Sequence, residues 1–443
     1  MKKSFLFFIA TLLLTLTACA NTSDEQPPAA TDVPYTTPAP SNGDEVVTPD
    51  EPVPVFDIPY FPMTPGVVTD DFNSVTAAEW AAGVRMGWNL GNTLDSHGGA
   101  GGFHWLGGGS YANTSVSEME LAWVGTLTTR ETIQAVADAG FDAIRIPVTW
   151  FKALDDDFII REDWMARVQE IVDWSLDIGL KVMLNSHHDN MIFSLLDENI
   201  PESQYVFARV WQQIAYRFRD YDERLLFTAL NEPRTYDTPA EWTGGTPAEH
   251  KNLNILNQLF VDIVRASGGN NAYRILSVPT YAASTAAPAQ RGFVLPADSV
   301  PDRLAVAMHI YSPWEFALRT GPTGTRDTWN AERANDTNPI TNPLTMAYDM
   351  FVSQGVPVIL GEMGALNRDN EEYRAEWAYF FVSFARSLGM PSFWWDNGQT
   401  QVTAENAWGG WDETFGLLDR QTNTIAHPLI MDALMRATVT DYP

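Results

Sequence analysis

The feature that most constrains this chain is a series of short apolar runs separated by longer stretches with helical periodicity. This alternation is typical of β-strands that are each followed by an α-helix, which together build a parallel sheet. Eight units of this kind predict a closed (β/α)8 barrel, and an open doubly wound sheet is the alternative. The candidate strands span residues 86–92, 143–148, 181–187, 225–232, 274–281, 304–311, 357–364 and 392–397.

The segments between the strands carry the signals of amphipathic helices. Apolar stripes at helical spacing run over residues 207–218 and 377–388, and Gly389 follows the second stripe where a left-handed cap is expected. Thr128 and Glu131 have the spacing of a capping box and predict the start of the helix before the second strand. No change in composition interrupts the chain after residue 75, so we expect one folded domain over residues 66–443.

Most of the candidate strands end in polar or aromatic residues. The carboxyl ends of parallel strands lie at the same face of a barrel, so these side chains are expected to converge on one site. A barrel filled for stability alone would use Val, Ile or Leu there. The residues concerned are Asn89, Asn92, Asn185, His187, His188, Asp189, Asn231, Glu232, His309, Tyr311, Glu362, Trp395, Asp396 and Asn397, with Arg145 inside the second strand.

Two glutamates on well-separated strands, Glu232 and Glu362, match the chemistry of glycosidic bond cleavage. That reaction uses one carboxylic acid to protonate the leaving oxygen and one carboxylate on the other side of the anomeric carbon. A single glutamate at a strand end is more often explained by a salt bridge at the rim of the barrel or by a helix N-cap. His187, His188 and His309 offer possible metal ligands, but no recognised ligand spacing accompanies them, so neither a metal nor a cofactor is expected.

The composition narrows the range of partners. A net charge of -29 repels phosphate backbones and anionic lipid headgroups, which argues against nucleic acid as a partner. The chain also contains 16 tryptophans, whose flat faces suit sugar rings as well as core packing. Neutral and cationic substrates both remain open, and the tryptophans are a hint of a carbohydrate ligand.

The N-terminal region reads as an export and anchoring segment. Residues 1–19 combine a Lys pair, an apolar run and Cys19 in a context that resembles a bacterial lipobox; an ordinary signal peptide that contains a cysteine is the alternative. Residues 20–65 are rich in Pro, Thr and acidic residues and predict a disordered linker. The chain is thus expected to be a cell-envelope lipoprotein of the outer membrane or cell surface, or secreted, with membrane contact only through this anchor.

Seven motifs, taken together and in order, resemble those of glycoside hydrolase family 5. They are "GWNLGNTLDS", "GFDAIRIPVTW", "LNSHHDN", "FTALNEPR", "HIYSPW", "VILGEMGA" and "FWWDNG". The resemblance extends over about residues 75–440 and is closest to the subfamily 4-like branch of endo-β-1,4-glucanases and xyloglucanases. It implies a retaining β-glycanase on a (β/α)8 barrel, and the glycine-rich stretch 97–115 stands out as an unusual insertion.

The resemblance also implies a role for each matching position. Glu232 becomes the acid/base and Glu362 the nucleophile, with their carboxyl groups about 5 Å apart and with the pKa of Glu232 raised by burial. Trp395 would floor the subsite next to the cleaved bond, while Trp394 points the other way. Catalytic support is implied for Arg145, His187, Asn231, His309 and Tyr311. Substrate binding is implied for Asn92, His188, Trp314, Trp395 and Asn397.

The expected activity is endo-acting hydrolysis of β-1,4-glucosidic bonds in xyloglucan, mixed-linkage glucan or soluble cellulose. Two alternatives stay open at the level of sequence. One is a surface lipoprotein that binds glycans without turnover, and the other is a β-mannanase on the same barrel. No dimer signature is visible in the sequence, so a monomer is expected.

Overall fold

Eight parallel strands close into a barrel in the computed structural model, which describes residues 66–97, 114–320, 323–401 and 413–440. All of these residues belong to one compact unit, Val55–Pro443. Each strand pairs with its neighbours in the chain, and β1 also pairs with β8, which confirms the (β/α)8 barrel and excludes the open sheet. The strands are β1 (Gly87–Leu90), β2 (Ala143–Ile146), β3 (Lys181–Asn185), β4 (Leu225–Thr228), β5 (Leu276–Ser284), β6 (Leu304–Ile310), β7 (Val358–Met363) and β8 (Ser392–Asp396).

Helices alternate with these strands around the barrel, and a short antiparallel pair, β9 (Leu418–Asp419) and β10 (Thr424–Ile425), follows β8. None of the described helices is long and apolar enough to cross a membrane. The helices are α1 (Ala77–Ala82), α2 (Val116–Val124), α3 (Arg130–Asp138), α4 (Glu162–Ile178), α5 (Ile200–Arg217), α6 (Pro247–Ala266), α7 (Ala287–Gly292), α8 (Trp314–Ala317), α9 (Ala334–Met350), α10 (Glu371–Ser387) and α11 (Pro428–Ala437).

The helical signals in the sequence were confirmed with one exception. The two apolar stripes lie on α5 and α10, and Gly389 has the left-handed φ of 72° expected after α10. The predicted capping box was wrong by one residue, because Thr129 caps α3 by accepting a hydrogen bond from the Thr132 amide at 3.2 Å. The amide of Thr128 instead donates to Glu120 at 2.7 Å, which ties the start of α3 to α2.

The N-terminal end of the barrel is closed by α1. Trp80 is buried and belongs to a cluster with inward-facing residues of the strands, among them Ala143 and Phe393. Side chains two positions further along a strand share the same face, so Arg145 and Trp395 also face the barrel interior, closer to its C-terminal end. The barrel interior is therefore apolar near the N-terminal ends of the strands and polar near their C-terminal ends.

An extra residue in β7 shapes the C-terminal end of the barrel. Met308 of β6 pairs with Leu360, but the next residue, His309, pairs with Glu362, so the register passes over Gly361. The carbonyl of Gly361 accepts a hydrogen bond from the Asn89 side chain at 2.9 Å. This bulge places Glu362 directly beside His309 at the mouth of the barrel.

Several predictions fall on residues that the structure does not describe. The signal peptide 1–19 with Cys19 and the linker 20–65 lie outside the described residues, as does most of the glycine-rich stretch 97–115.

Candidate active site

Glu232 and Glu362 face each other across the C-terminal mouth of the barrel. Glu232 follows β4, Glu362 lies in β7, and His309 at the end of β6 stands between them. One carboxylate oxygen of each glutamate and a ring nitrogen of His309 all lie within 4.8 Å of one another. The fold thus brings together two carboxyl groups that are far apart in sequence.

The Glu362 carboxylate is held by two donors. Arg145 Nη1 donates to Oε1 at 2.7 Å, and Tyr311 Oη donates to Oε2 at 2.9 Å. Arg145 is itself fixed, because it also donates to Asn89 Oδ1 at 2.9 Å and to Asn231 Oδ1 at 2.6 Å. Burial and the neighbouring carboxylates raise the pKa of Tyr311 well above its usual value, so Tyr311 remains a donor. The Glu362 carboxylate is therefore held in one orientation.

The Glu232 carboxyl has different partners. His309 Nδ1 lies 2.9 Å from Oε1, and Arg234 Nη1 lies 3.4 Å from Oε2. Burial acts to raise the pKa of Glu232, but the His309 hydrogen bond and the charges of His309, Arg234 and Arg145 outweigh it, so the pKa is lowered. The expectation of a raised pKa was wrong for the free protein, because burial was weighed without these cationic neighbours.

A row of aromatic rings and a buried carboxylate lie on the β1 and β3 side of the mouth. The His187 ring stacks on Trp395 with an interplanar angle of 2° and a centroid distance of 5.6 Å. His188 packs edge-on against His187, and Asp95 Oδ2 lies 3.8 Å from His187 Nε2. Burial and nearby positive groups lower the pKa of both histidines well below the usual value, so both are neutral at pH 7.

Three more residues were predicted to bind substrate, and they occupy different parts of the structure: Asn92, Asn397 and Trp314. Asn92 has a left-handed φ of 59° and its amide donates to Asp95, so it shapes the loop after β1. Asn397 is buried, and its side chain bonds the backbone of Glu413 and Phe415, so it holds the loop after β8. Trp314 lies on the surface three residues beyond Tyr311, with half of its area exposed.

The two adjacent tryptophans of β8 face opposite sides, as strand alternation predicts. Trp394 is fully buried in the layer between barrel and helices, and its Nε1 donates to the Phe415 carbonyl at 2.9 Å. Trp395 packs on Leu366 and Phe415 in a small cluster at the mouth. Gly91 lies against this ring, since a Cβ at Gly91 would meet it at 2.9 Å.

Two residues beside the catalytic pair were missed by the sequence reasoning. Arg234, directly after the "NEP" motif, bonds the Glu232 carbonyl at 2.9 Å and stacks on the Trp242 ring at 4.1 Å. Glu413 follows β8, and burial together with the charges of Glu232 and Glu362 raises its pKa to about 7. Arg234 could have been found from its position in the motif, whereas no local signal marks Glu413.

Among the described residues, two groups of side chains have ligand atoms close enough to hold a cation. One comprises Asp95, His187 and His188, and the other comprises Glu232, His309 and Glu362. In the second group the polar atoms already pair with each other and with Arg145 and Tyr311.

A barrel that carries two glutamates at this spacing at its C-terminal mouth has the arrangement of a glycoside hydrolase. The family model for cellulases, described as glycosyl hydrolase family 5, matches residues 108–401. The chain therefore belongs to glycosyl hydrolase family 5.

Similar proteins include several that are named as endoglucanases. Endoglucanase B of Neocallimastix patriciarum is 36% identical over 365 residues, which cover 82% of this chain and 72% of that protein. A broad-specificity endoglucanase of subfamily 4 from Ruminococcus champanellensis, solved with bound cellotriose, has a TM-score of 0.75 and 36% identity and covers 82% of this chain and 99% of its own. A xyloglucan-specific endo-β-1,4-glucanase from a metagenomic library, also with cellotriose, has a TM-score of 0.72 and 34% identity and covers 81% and 98%.

Proposed function

We propose that the protein is a retaining endo-β-1,4-glucanase in which Glu362 is the nucleophile and Glu232 the acid/base. The observation that carries the mechanism is the distance between the two carboxyl groups, whose oxygens approach within 4.8 Å. Retaining enzymes hold their carboxyl groups about 5 to 5.5 Å apart, whereas inverting enzymes leave about 6.5 to 9.5 Å for a water molecule. The short spacing supports a covalent, double-displacement mechanism.

In the first step, a Glu362 oxygen forms a bond to the anomeric carbon while the bond from that carbon to the glycosidic oxygen breaks. Glu232 gives its proton to the departing oxygen, which leaves as the hydroxyl of the released glucan segment. Arg145 and Tyr311 hold the Glu362 carboxylate in place for this attack. Asn231 Oδ1 is bonded to Arg145, so its NH2 group is directed away and is available to the sugar 2-hydroxyl.

In the second step, Glu232 takes a proton from a water molecule whose oxygen attacks the anomeric carbon. The bond between that carbon and Glu362 breaks, which releases the sugar with its original configuration. His309, at 2.9 Å from Glu232 and 3.6 Å from Glu362, lies close to both carboxyl groups throughout. One carboxyl group thus serves as acid and then as base, as microscopic reversibility requires.

The substrate class follows from the relatives together with the chemistry of the mouth. The similar proteins include broad-specificity and xyloglucan-specific endoglucanases, two of them solved with cellotriose. Trp395 and His187 supply an aromatic surface, and neutral His188 and Asn231 supply hydrogen bonds for hydroxyl groups. We propose soluble β-1,4-linked glucans, including mixed-linkage glucan and xyloglucan, as substrates.

A reducing-sugar assay on a panel of polysaccharides tests this proposal. Residues 66–443 are assayed on carboxymethylcellulose, mixed-linkage β-glucan, xyloglucan, xylan and glucomannan, with Glu362→Gln as the inactive control. We expect release from mixed-linkage glucan or xyloglucan far above that from xylan, and none with the variant. Absence of release from every polymer by folded protein would overturn the proposal, and preference for glucomannan would favour the mannanase alternative.

The alternative of a binding protein without turnover is not favoured. Loss of one catalytic carboxylate would mark such a protein, yet Glu232 and Glu362 are both present and held by defined partners. The similar proteins are named as endoglucanases, which also disfavours a mannanase.

We further propose that Cys19 is lipidated, that residues 20–65 tether the catalytic domain to the bacterial outer membrane or cell surface, and that the enzyme is monomeric. The lipobox-like sequence before Cys19 and the Pro-rich composition after it support the anchor. Labelling with radioactive palmitate tests it. Incorporation that disappears in Cys19→Ala supports the anchor, whereas equal labelling of the variant or secretion of unlabelled protein contradicts it.

A further inference from the structure

An open groove of about 550 Å³ lies beside the loop that follows β6. One wall is the turn 313–315, and the other is a face of α9 that carries Asn335, Asn338 and Asn342. None of the α9 residues takes part in the chemistry described above. The chemistry of the two walls indicates the kind of ligand that would bind there.

The first wall presents a flat aromatic surface. Half of the Trp314 side chain is exposed, although tryptophan is one of the largest apolar side chains. The guanidinium of Arg319 packs over its ring at 4.6 Å from the centroid, which fixes the orientation of the ring. A tryptophan held in this way offers a preformed platform for the apolar face of a sugar.

The second wall presents amides. Asn335, Asn338 and Asn342 are three and four residues apart, so they share one face of α9. All three are exposed, and within the described part of the chain their side chains form no hydrogen bonds. Each amide offers two donor hydrogens and an acceptor oxygen, a combination that suits hydroxyl groups.

Two prolines belong to the same wall. Pro339 and Pro343 lie inside α9 and line the groove, where their rings add uncharged surface.

The groove is nearly free of charge on a strongly acidic protein. Among the described residues that line it, Glu315 is the ionisable one, and Arg319, which packs over the Trp314 ring, places the opposite charge beside the same wall. Neither a cationic nor an anionic ligand is favoured by such walls. A neutral ligand rich in hydroxyl groups is favoured.

The groove begins close to the reaction centre. Tyr311 bonds the Glu362 carboxylate, and Trp314 is three residues further along the same loop. Three residues span at most about 11 Å of fully extended chain, so a polymer held at the cleavage site has only a short distance to reach the groove.

We propose that this groove is a remote subsite in which Trp314 and the asparagine face of α9 bind the glucan chain outside the cleavage site. The inference rests on the proposed function. The subsite would favour long polymers over short substrates, because a substrate that occupies only the cleft does not reach it.

The test compares a polymer with a short substrate. Trp314→Ala and the double variant Asn338→Ala/Asn342→Ala are assayed on mixed-linkage β-glucan and on p-nitrophenyl cellobioside. We expect the ratio of kcat/KM for polymer to kcat/KM for the short substrate to fall roughly tenfold, as loss of a few hydrogen bonds or a stacking contact implies. Trp314→Phe keeps an aromatic face and should restore most of the ratio. Asn73→Ala, an exposed asparagine before α1, is the matched control.

A binding measurement separates this inference from the proposed function. The same changes are placed in Glu362→Gln, and migration is compared in native gels with and without soluble β-glucan. Reduced retardation of both groove variants, with Tm unchanged, supports the subsite even if the hydrolysis assay fails. Unchanged retardation together with an unchanged kcat/KM ratio overturns the subsite and leaves the proposed hydrolysis intact.

Discussion

At the level of single residues, the two glutamates proposed to act in catalysis differ in the partners that hold them. Glu362 is bonded by Arg145 and Tyr311, whereas Glu232 is bonded by His309 and approached by Arg234. The lowered pKa of Glu232 describes the free protein, in which burial opposes the cationic neighbours. A bound neutral sugar excludes more water and strengthens the effect of burial, so we expect the pKa of Glu232 to rise when substrate binds.

Replacing each glutamate by alanine should give different products in the presence of azide. With Glu232→Ala and an aryl glycoside that needs no acid, the glycosyl-enzyme forms but its hydrolysis slows by about a hundredfold or more. Azide should then accelerate turnover and yield the β-configured glycosyl azide, detected by NMR. A β-azide formed by Glu362→Ala and not by Glu232→Ala would reverse the two roles.

Glu413 should influence the pH dependence of activity. Its pKa is raised to about 7 by burial and by the charges of Glu232 and Glu362, so it becomes charged above neutral pH. By the same interaction, charged Glu413 favours the protonated form of Glu232 and keeps the acid active at higher pH. In Glu413→Gln we expect the basic limb of the kcat/KM profile to shift to lower pH by up to about one pH unit.

The control for this pH profile is Glu202→Gln, which removes an exposed carboxylate at the start of α5. Its profile should match that of the unaltered protein. An unmoved basic limb in Glu413→Gln would mean that Glu413 does not interact with the acid.

Sequence reasoning could name Glu232 and Glu362 because strand ends and motifs mark them. It could not find Glu413, because this residue lies after β8 outside any motif that was recognised and reaches the mouth only through the fold. It also gave the wrong direction for the pKa of Glu232, since the opposing partners come from other strands.

At the level of secondary-structure elements, the bulge in β7 aligns Glu362 with His309. The register passes over Gly361, whose carbonyl is then taken by Asn89, and Glu362 comes to lie next to His309. A Cβ at position 361 would meet His309 Nε2 at 3.1 Å, so an alanine there would displace the His309 ring by a few tenths of an ångström.

Gly361→Ala should therefore lower activity through the displacement of His309. We expect kcat to fall roughly tenfold, because a small misplacement of a catalytic group is costly. Gly179→Ala is the control, since it strains a left-handed position with no atoms within 4 Å of the new Cβ and lies at the end of α4. This control should lower Tm and keep kcat. Equal kcat in Gly361→Ala and the unaltered protein would show that the bulge does not align the site.

Strands and helices could be predicted from the sequence wherever the spacing of apolar residues determined the structure. The eight strands and the helices α5 and α10 follow from their apolar spacing. The N-cap of α3 did not follow, because Thr128 and Thr129 are equivalent in sequence and the contact of Thr128 with Glu120 decides between them. The bulge at Gly361 could not be predicted from the local sequence, because it depends on the register of β7 with both neighbouring strands.

At the scale of the whole molecule, the catalytic residues all belong to residues 66–443. A protein that begins at residue 66 should hydrolyse soluble β-glucan with the kcat of the full chain, because no residue before it takes part in the proposed chemistry. Matched assays of the two forms on soluble polymer check this expectation. A large loss of kcat in the shorter form would contradict the interpretation of residues 20–65 as a tether.

The proposed mechanism requires Glu362 to form a covalent bond to the substrate. The most direct measurement is to incubate the enzyme with 2-deoxy-2-fluorocellobiosyl fluoride, which slows the second step, and to locate the label by mass spectrometry of peptides. We predict one added fluorocellobiosyl group on the peptide that contains Glu362, and none in Glu362→Gln. A label on Glu232, or an unlabelled enzyme that releases product with inverted configuration, would contradict the account.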